Sequence, residues 1–159
     1  MGFSKDCLDA LAVTGKTTAG VQRALADQSI FQAAVLGTSI PWTMLAALAI
    51  RESNVENGSE KDGAGVGVGV FQISVPANAT YAQAANLTWA ANYAANMLNN
   101  NMTYLASQFN FTPAQLLQAT AASYNLGPGG ISGNPNTIDN GTPGSNFGSN
   151  VVAMMSCFQ

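Results

Sequence analysis

The chain has 159 residues, of which 47% are hydrophobic and only 8% charged, a length that fits one domain with its own core. Its net charge of −3, from eight acids and five scattered bases, leaves nothing to neutralise phosphates and excludes a nucleic-acid binder. Histidine is absent, which removes His-based triads, HExxH metalloprotease sites and most zinc sites.

The opening segment "MGFSKDCLDA" has no apolar signal region, and Asp6 breaks the myristoylation pattern. No apolar run reaches the ~18 residues of a membrane span. Cys7 and Cys157 lie near opposite ends. Joined, they close almost the whole chain and stabilise it by ~4 kcal/mol in the loop-entropy model; two unpaired thiols are the alternative. The expectation is a bridge, and with it a secreted, extracellular protein whose leader has been replaced by Met1. Glycosylation sequons at Asn57, Asn78, Asn86, Asn101, Asn110 and Asn140 point the same way without proving it.

Apolar positions Val21, Leu25, Phe31 and Val35 predict helix from Thr18 to Leu36, broken in two near Asp27–Ser29 and closed by Gly37. In "TSIPWTMLAALAIRES", Ser39 suits a cap and Pro41 a first turn. From Trp42 to Ile50 the next helix is apolar on every side, so it belongs in the core. A polar turn follows, then "DGAGVGVGVFQ". Its period-two alternation predicts short strands or a hairpin, with Val66, Val68 and Val70 on one face and glycines on the other. A long helix is expected from about Asn86, marked by Trp89, Tyr93, Met97, Leu98, Leu105 and Phe109. "TPAQ", from Thr112 to Gln115, reads as a capping box with proline in the first turn. It opens a helix that stops at "LGPGG". A Gly/Pro/Asn-rich loop, 127–144, leads to a last helix, "NFGSNVVAMMSCF". There are no repeats and no second domain; residues 1–20 read as an N-terminal extension.

Two glycine-containing stretches mimic nucleotide sites and fail on spacing. "AVTGKT" lacks the first glycine of a phosphate-binding loop, because Ala10 stands there. "GAGVGVG" has Val68 at the third glycine of the dinucleotide fingerprint, and a helix rather than a strand precedes it.

The carboxylates carry more. Four of the eight acids lie between positions 52 and 62. Glu52 closes a helix that is otherwise core. Desolvation and the negative end of the helix dipole both favour its protonated form, as a general acid needs. The alternatives are a pairing with Arg51 or plain exposure to solvent.

"AIRES", a glycine-rich turn, "GVGVFQIS" and then "AASYNLGPGGI" occur in that order. Together they resemble the goose-type lysozymes and the related soluble lytic transglycosylases, and "NFGSNVVAMM" resembles the goose-type C-terminal helix. The likeness spans about Ala24 to Met155. It implies a mainly α (α+β) lysozyme-like fold: a helical domain around a buried central helix, with a short Gly-rich β-hairpin. It also implies cleavage of the β-1,4 bond between N-acetylmuramic acid and N-acetylglucosamine in peptidoglycan by a monomeric glycoside hydrolase that needs no metal or cofactor. Glu52 would be the general acid, and Gln72, Tyr124 and Asn125 would line the sugar groove.

Inverting hydrolysis also needs a base that positions water, and Asp62 is the nearest match, with Glu60 as the alternative. The chain departs from the family where Ser74 replaces an Asp and Phe147 replaces a Tyr. Two other readings therefore stay open: a lytic transglycosylase forming 1,6-anhydro products, and a non-catalytic glycan-binding protein. The acidic balance also makes a neutral, chitin-like glycan a possible substrate.

Overall fold

The computed structural model describes residues 2–61 and 66–159. Among these lie eight α-helices and a small antiparallel sheet. Helix α1 (Lys5–Ala12) starts where the Ser4 hydroxyl accepts the Cys7 N–H, an ordinary N-cap. Helices α2 (Thr18–Ala26) and α3 (Gln28–Ala34) part at Asp27, whose φ of −100° and ψ of 11° leave helical space. The break is thus where the sequence placed it. Helix α3 ends at Ala34, short of Leu36, and Gly37 lies beyond a further turn rather than at the cap.

Helix α4 (Trp42–Ser53) runs through the core, with every residue from Met44 to Arg51 buried. Its start differs from expectation. Pro41 is the extended residue before the helix, and Ser39 does not cap it: the Ser39 N–H donates to Asn99 Oδ1, while the Thr38 hydroxyl accepts from Ile40 N–H. The chain enters α4 from an extended segment tied to another helix, and no side chain caps the helix.

Strands β1 (Ser59–Lys61), β2 (Val66–Val68) and β3 (Ile73–Val75) form an antiparallel sheet in that order. Glu60 faces Gly67 across one ladder, and Gly67 faces Ser74 across the other. Val68 is buried, as the alternation requires, but Val70 is not part of a strand. Strand β2 stops at Val68 because Gly69 turns with φ +79°, opening a tight turn over residues 69–72. A Cβ at Gly69 would run into the Ala84 carbonyl, so this glycine answers to both backbone angle and space.

Asn86 separates α5 (Tyr81–Ala85) from α6 (Leu87–Gln108), and its side chain caps α6 by accepting from Trp89 N–H. Helix α5 carries a capping box, Thr80/Gln83, that the sequence reading did not foresee. The expected box at Thr112/Gln115 opens α7 (Pro113–Leu126). The 127–144 segment holds short 3-10 turns, and it buries Ile138, Asp139 and Thr142. Helix α8 (Phe147–Met154) follows, ending in a 3-10 turn that carries Cys157.

Cys7 and Cys157 form a disulfide with Cα atoms 4.7 Å apart. It ties α1 to the end of the chain, so the first residues are anchored against α8. A disulfide fits an oxidising compartment. Among the described residues no helix is long and apolar enough to cross a membrane.

Candidate active site around Glu52

The site begins with how α4 stops. Two consecutive residues, Asn54 (φ 56°) and Val55 (φ 58°), take the left-handed conformation, and Val55 is 5% exposed. A β-branched residue there is strained. Asn54 N–H donates to Ile50 O and Val55 N–H to Ala49 O, which satisfies the last carbonyls of the helix. Helix α2 holds this turn from outside. Arg23 donates to the Asn54 carbonyl through Nε (3.1 Å) and Nη2 (2.8 Å) and to Glu56 Oε1 (3.1 Å). The Asn54 side chain closes a reciprocal pair with Thr17.

Glu52 and Ser53 sit on the last turn before that stop, both half-buried. The Ser53 hydroxyl donates to Val70 O at 2.7 Å. The Tyr124 hydroxyl donates to Phe71 O at 2.6 Å. Gln72, itself at φ 51°, donates through Nε2 to Gly69 O (2.8 Å) and Gly58 O (3.1 Å). Three successive carbonyls of the 69–72 turn are therefore each held by a side chain. Ser53 comes from α4, Tyr124 from α7 and Gln72 from the turn itself. The Phe71 ring is fully buried edge-on against Phe31, 6.0 Å between centroids. This fixes the sheet beside the end of α4.

Arg51, the neighbour of Glu52, is buried at 9% exposure. It donates to Asn146 Oδ1 (3.2 and 3.1 Å), Asn150 Oδ1 (2.9 Å) and Pro143 O (2.9 Å). Its guanidinium also lies over the Phe147 ring, 5.0 Å from the centroid. Burial lowers its pKa, opposed by the negative charges of Glu52 and Asp139. Asn150 passes the connection on, donating to Ala10 O of α1. Phe147, where the resembling family has a tyrosine, thus forms the floor of an arginine site.

Tyr124 is held well above the ordinary phenol value of 10.0, first by burial, then by the charge of Glu52 and by Tyr93. Glu52, Tyr124 and Tyr93 therefore share one electrostatic neighbourhood. Tyr93 is raised by burial as well, and it stacks on Trp89 with centroids 5.3 Å apart at 15°.

Of the residues expected from sequence, Gln72 and Tyr124 meet on the 69–72 turn, and Glu52 lies within electrostatic reach of Tyr124. Asn125 is exposed on the final turn of α7. Glu60 is in β1. Asp62 lies outside the described residues. Sequence reasoning missed the anchoring role of Ser53, the Arg51–Asn146–Asn150 cluster and the Trp89–Tyr93 pair; only the last had a visible signal, two aromatics four residues apart on a helix.

No protein-family model matches the chain, and no curated protein matches it in sequence.

Proposed function

We propose that this protein is a glycoside hydrolase that cleaves peptidoglycan in the manner of the goose-type lysozymes it resembles, with Glu52 as the general acid. The observation that carries this reading is the setting of Glu52. A carboxylate sits on the last turn of a helix buried from Met44 to Arg51, next to a strained left-handed stop. Second to burial, its charge helps keep the Tyr124 phenol neutral. Perturbed groups and backbone strain concentrate at functional sites.

In this mechanism Glu52 protonates the glycosidic oxygen as the bond to the anomeric carbon breaks. Asp62, or Glu60 of β1, positions the water that attacks the opposite face. Gln72 and Tyr124 hold the turn against which the sugar lies, and Asn125 contributes from the exposed end of α7. Neither Ser74 nor Phe147 supplies the carboxylate or hydroxyl found at the matching family positions. This favours keeping the transglycosylase outcome, in which the sugar's own 6-hydroxyl attacks, as the competing result.

Digestion of purified peptidoglycan, followed by mass analysis of the fragments, tests the proposal. Reducing ends are expected. Anhydro ends would transfer Glu52 to the transglycosylase chemistry, and the absence of fragments at every pH would leave a glycan-binding protein.

A further inference from the structure

An open cleft of about 570 Å3 lies at the corner between α5 and α6, lined by Ala82, Gln83, Asn86, Thr88, Trp89 and Asn92. Its volume falls in the about 300–1,000 Å3 range of small-ligand sites, and all six lining residues are uncharged. Local hydrogen bonds to the backbone orient its amides. Gln83 Oε1 accepts from Thr80 N–H, Asn86 Oδ1 accepts from Trp89 N–H, and Asn92 Nδ2 donates to Thr88 O. Each backbone group fixes which end of its amide is which. Gln83 Nε2 and Asn86 Nδ2 are left as donors and Asn92 Oδ1 as an acceptor. Between them lies the half-buried Trp89 indole, stacked on Tyr93.

A flat aromatic surface with neutral donors and an acceptor around it, and no charge, suits one class of ligand. A pyranose ring offers an apolar C–H face for the indole and hydroxyl or acetamido groups for the amides. Phosphates and cations find no counter-charge here. Trp89 stacks on Tyr93, which shares the electrostatic neighbourhood of Tyr124 and Glu52. We infer that the Trp89 cleft is a sugar subsite for an N-acetylhexosamine unit. The inference rests on the proposed glycan-cleaving function.

The test uses the full chain with Glu52→Gln, which leaves a bound glycan uncut. Chitohexaose and peptide-free peptidoglycan strands are titrated calorimetrically into this protein and into versions that also carry Trp89→Ala or Asn92→Ala. Melting temperatures confirm the fold; Asn92 is exposed and its loss leaves the core intact. Affinity should fall about tenfold without Trp89, the scale of one aromatic face, and fall in the same direction without Asn92. Response to both glycans means that the shared N-acetylglucosamine unit is read; response to one names the source.

Unchanged affinity in both variants, or no glycan binding at all, overturns the subsite. The two readings separate cleanly. Trp89-dependent binding without cleavage by the Glu52-containing protein keeps the subsite and removes the hydrolase. Cleavage that ignores Trp89 at low substrate does the reverse.

Discussion

Glu52 and Tyr124 are where a single atom decides the outcome. If the proposed function holds, replacing Glu52 by Gln keeps the shape and removes the proton, so cleavage of peptidoglycan should drop by about 10²–10⁴-fold, the range of a general acid, with an unchanged melting curve. Wild-type turnover in that variant would remove the mechanism. Tyr124 makes a different prediction. Its folded-state pKa is raised above 10.0 by burial, Glu52 and Tyr93. The unfolded chain therefore loses this proton first as the pH rises. Stability owed to the neutral phenol is complete below pH 10 and declines above it. In urea titrations above pH 10, the decline should be steeper than in Tyr124→Phe by up to about 1.4 kcal/mol per pH unit. Near neutral pH the Phe variant should be weaker by about 1–2 kcal/mol, because the Phe71 carbonyl loses its donor.

The elements around the site depend on caps and close approaches. Helix α8 has no cap from its own Asn146. Asp139 does that work from the preceding loop. Its carboxylate accepts from Gly148 N–H (2.6 Å), Ser149 N–H (3.0 Å) and Gln118 Nε2 (2.8 Å). Anions are favoured at a helix start. Asp139→Ala should cost about 2 kcal/mol by loss of these bonds, read as a lower denaturant midpoint; an unchanged midpoint would show that water replaces the cap. The signal was present, since Asp139 is the one acid after Asp62, but nothing local shows that a loop acid will reach a helix some ten residues on. At the 69–72 turn, Gly69→Ala meets both a positive φ and the Ala84 carbonyl. It should destabilise by about 2–4 kcal/mol and, on the proposed function, impair cleavage beyond what stability explains, because that turn is hydrogen-bonded to Ser53, the neighbour of Glu52. Equal activity per folded molecule would detach the turn from the site.

For the whole molecule, the disulfide joins two helices that the chain order keeps furthest apart. A loop of this length predicts a loss of about 4–5 kcal/mol on reduction, measurable as a shift of the urea midpoint with reductant; the non-reduced protein should show no free thiol. The sequons are sorted by the same tertiary packing. Asn101 is 8% exposed and donates to Ser123 Oγ inside the helix pair, so it is no surface acceptor, whereas Asn78 and Asn110 are exposed.

Some of this was legible in the residues alone. The apolar run of α4, the break at Asp27, the Thr112/Gln115 capping box and the stop at "LGPGG" are local facts. They depend on side chains within a turn or two of one another, so pattern and propensity determine them. The placing of Glu52 at the end of the core helix follows from the same pattern. The tertiary structure alone decided what meets that helix end. Ser53, Tyr124 and Gln72 converge on successive carbonyls of one turn, and Arg51 is held by Asn146 and Asn150. Val70 leaves the strand for the turn because Gly69 bends there. Such contacts span up to about a hundred positions, and their partners are neutral amides and hydroxyls that look alike along the chain. Only the packed core brings them within hydrogen-bonding distance and thereby selects which of them bind.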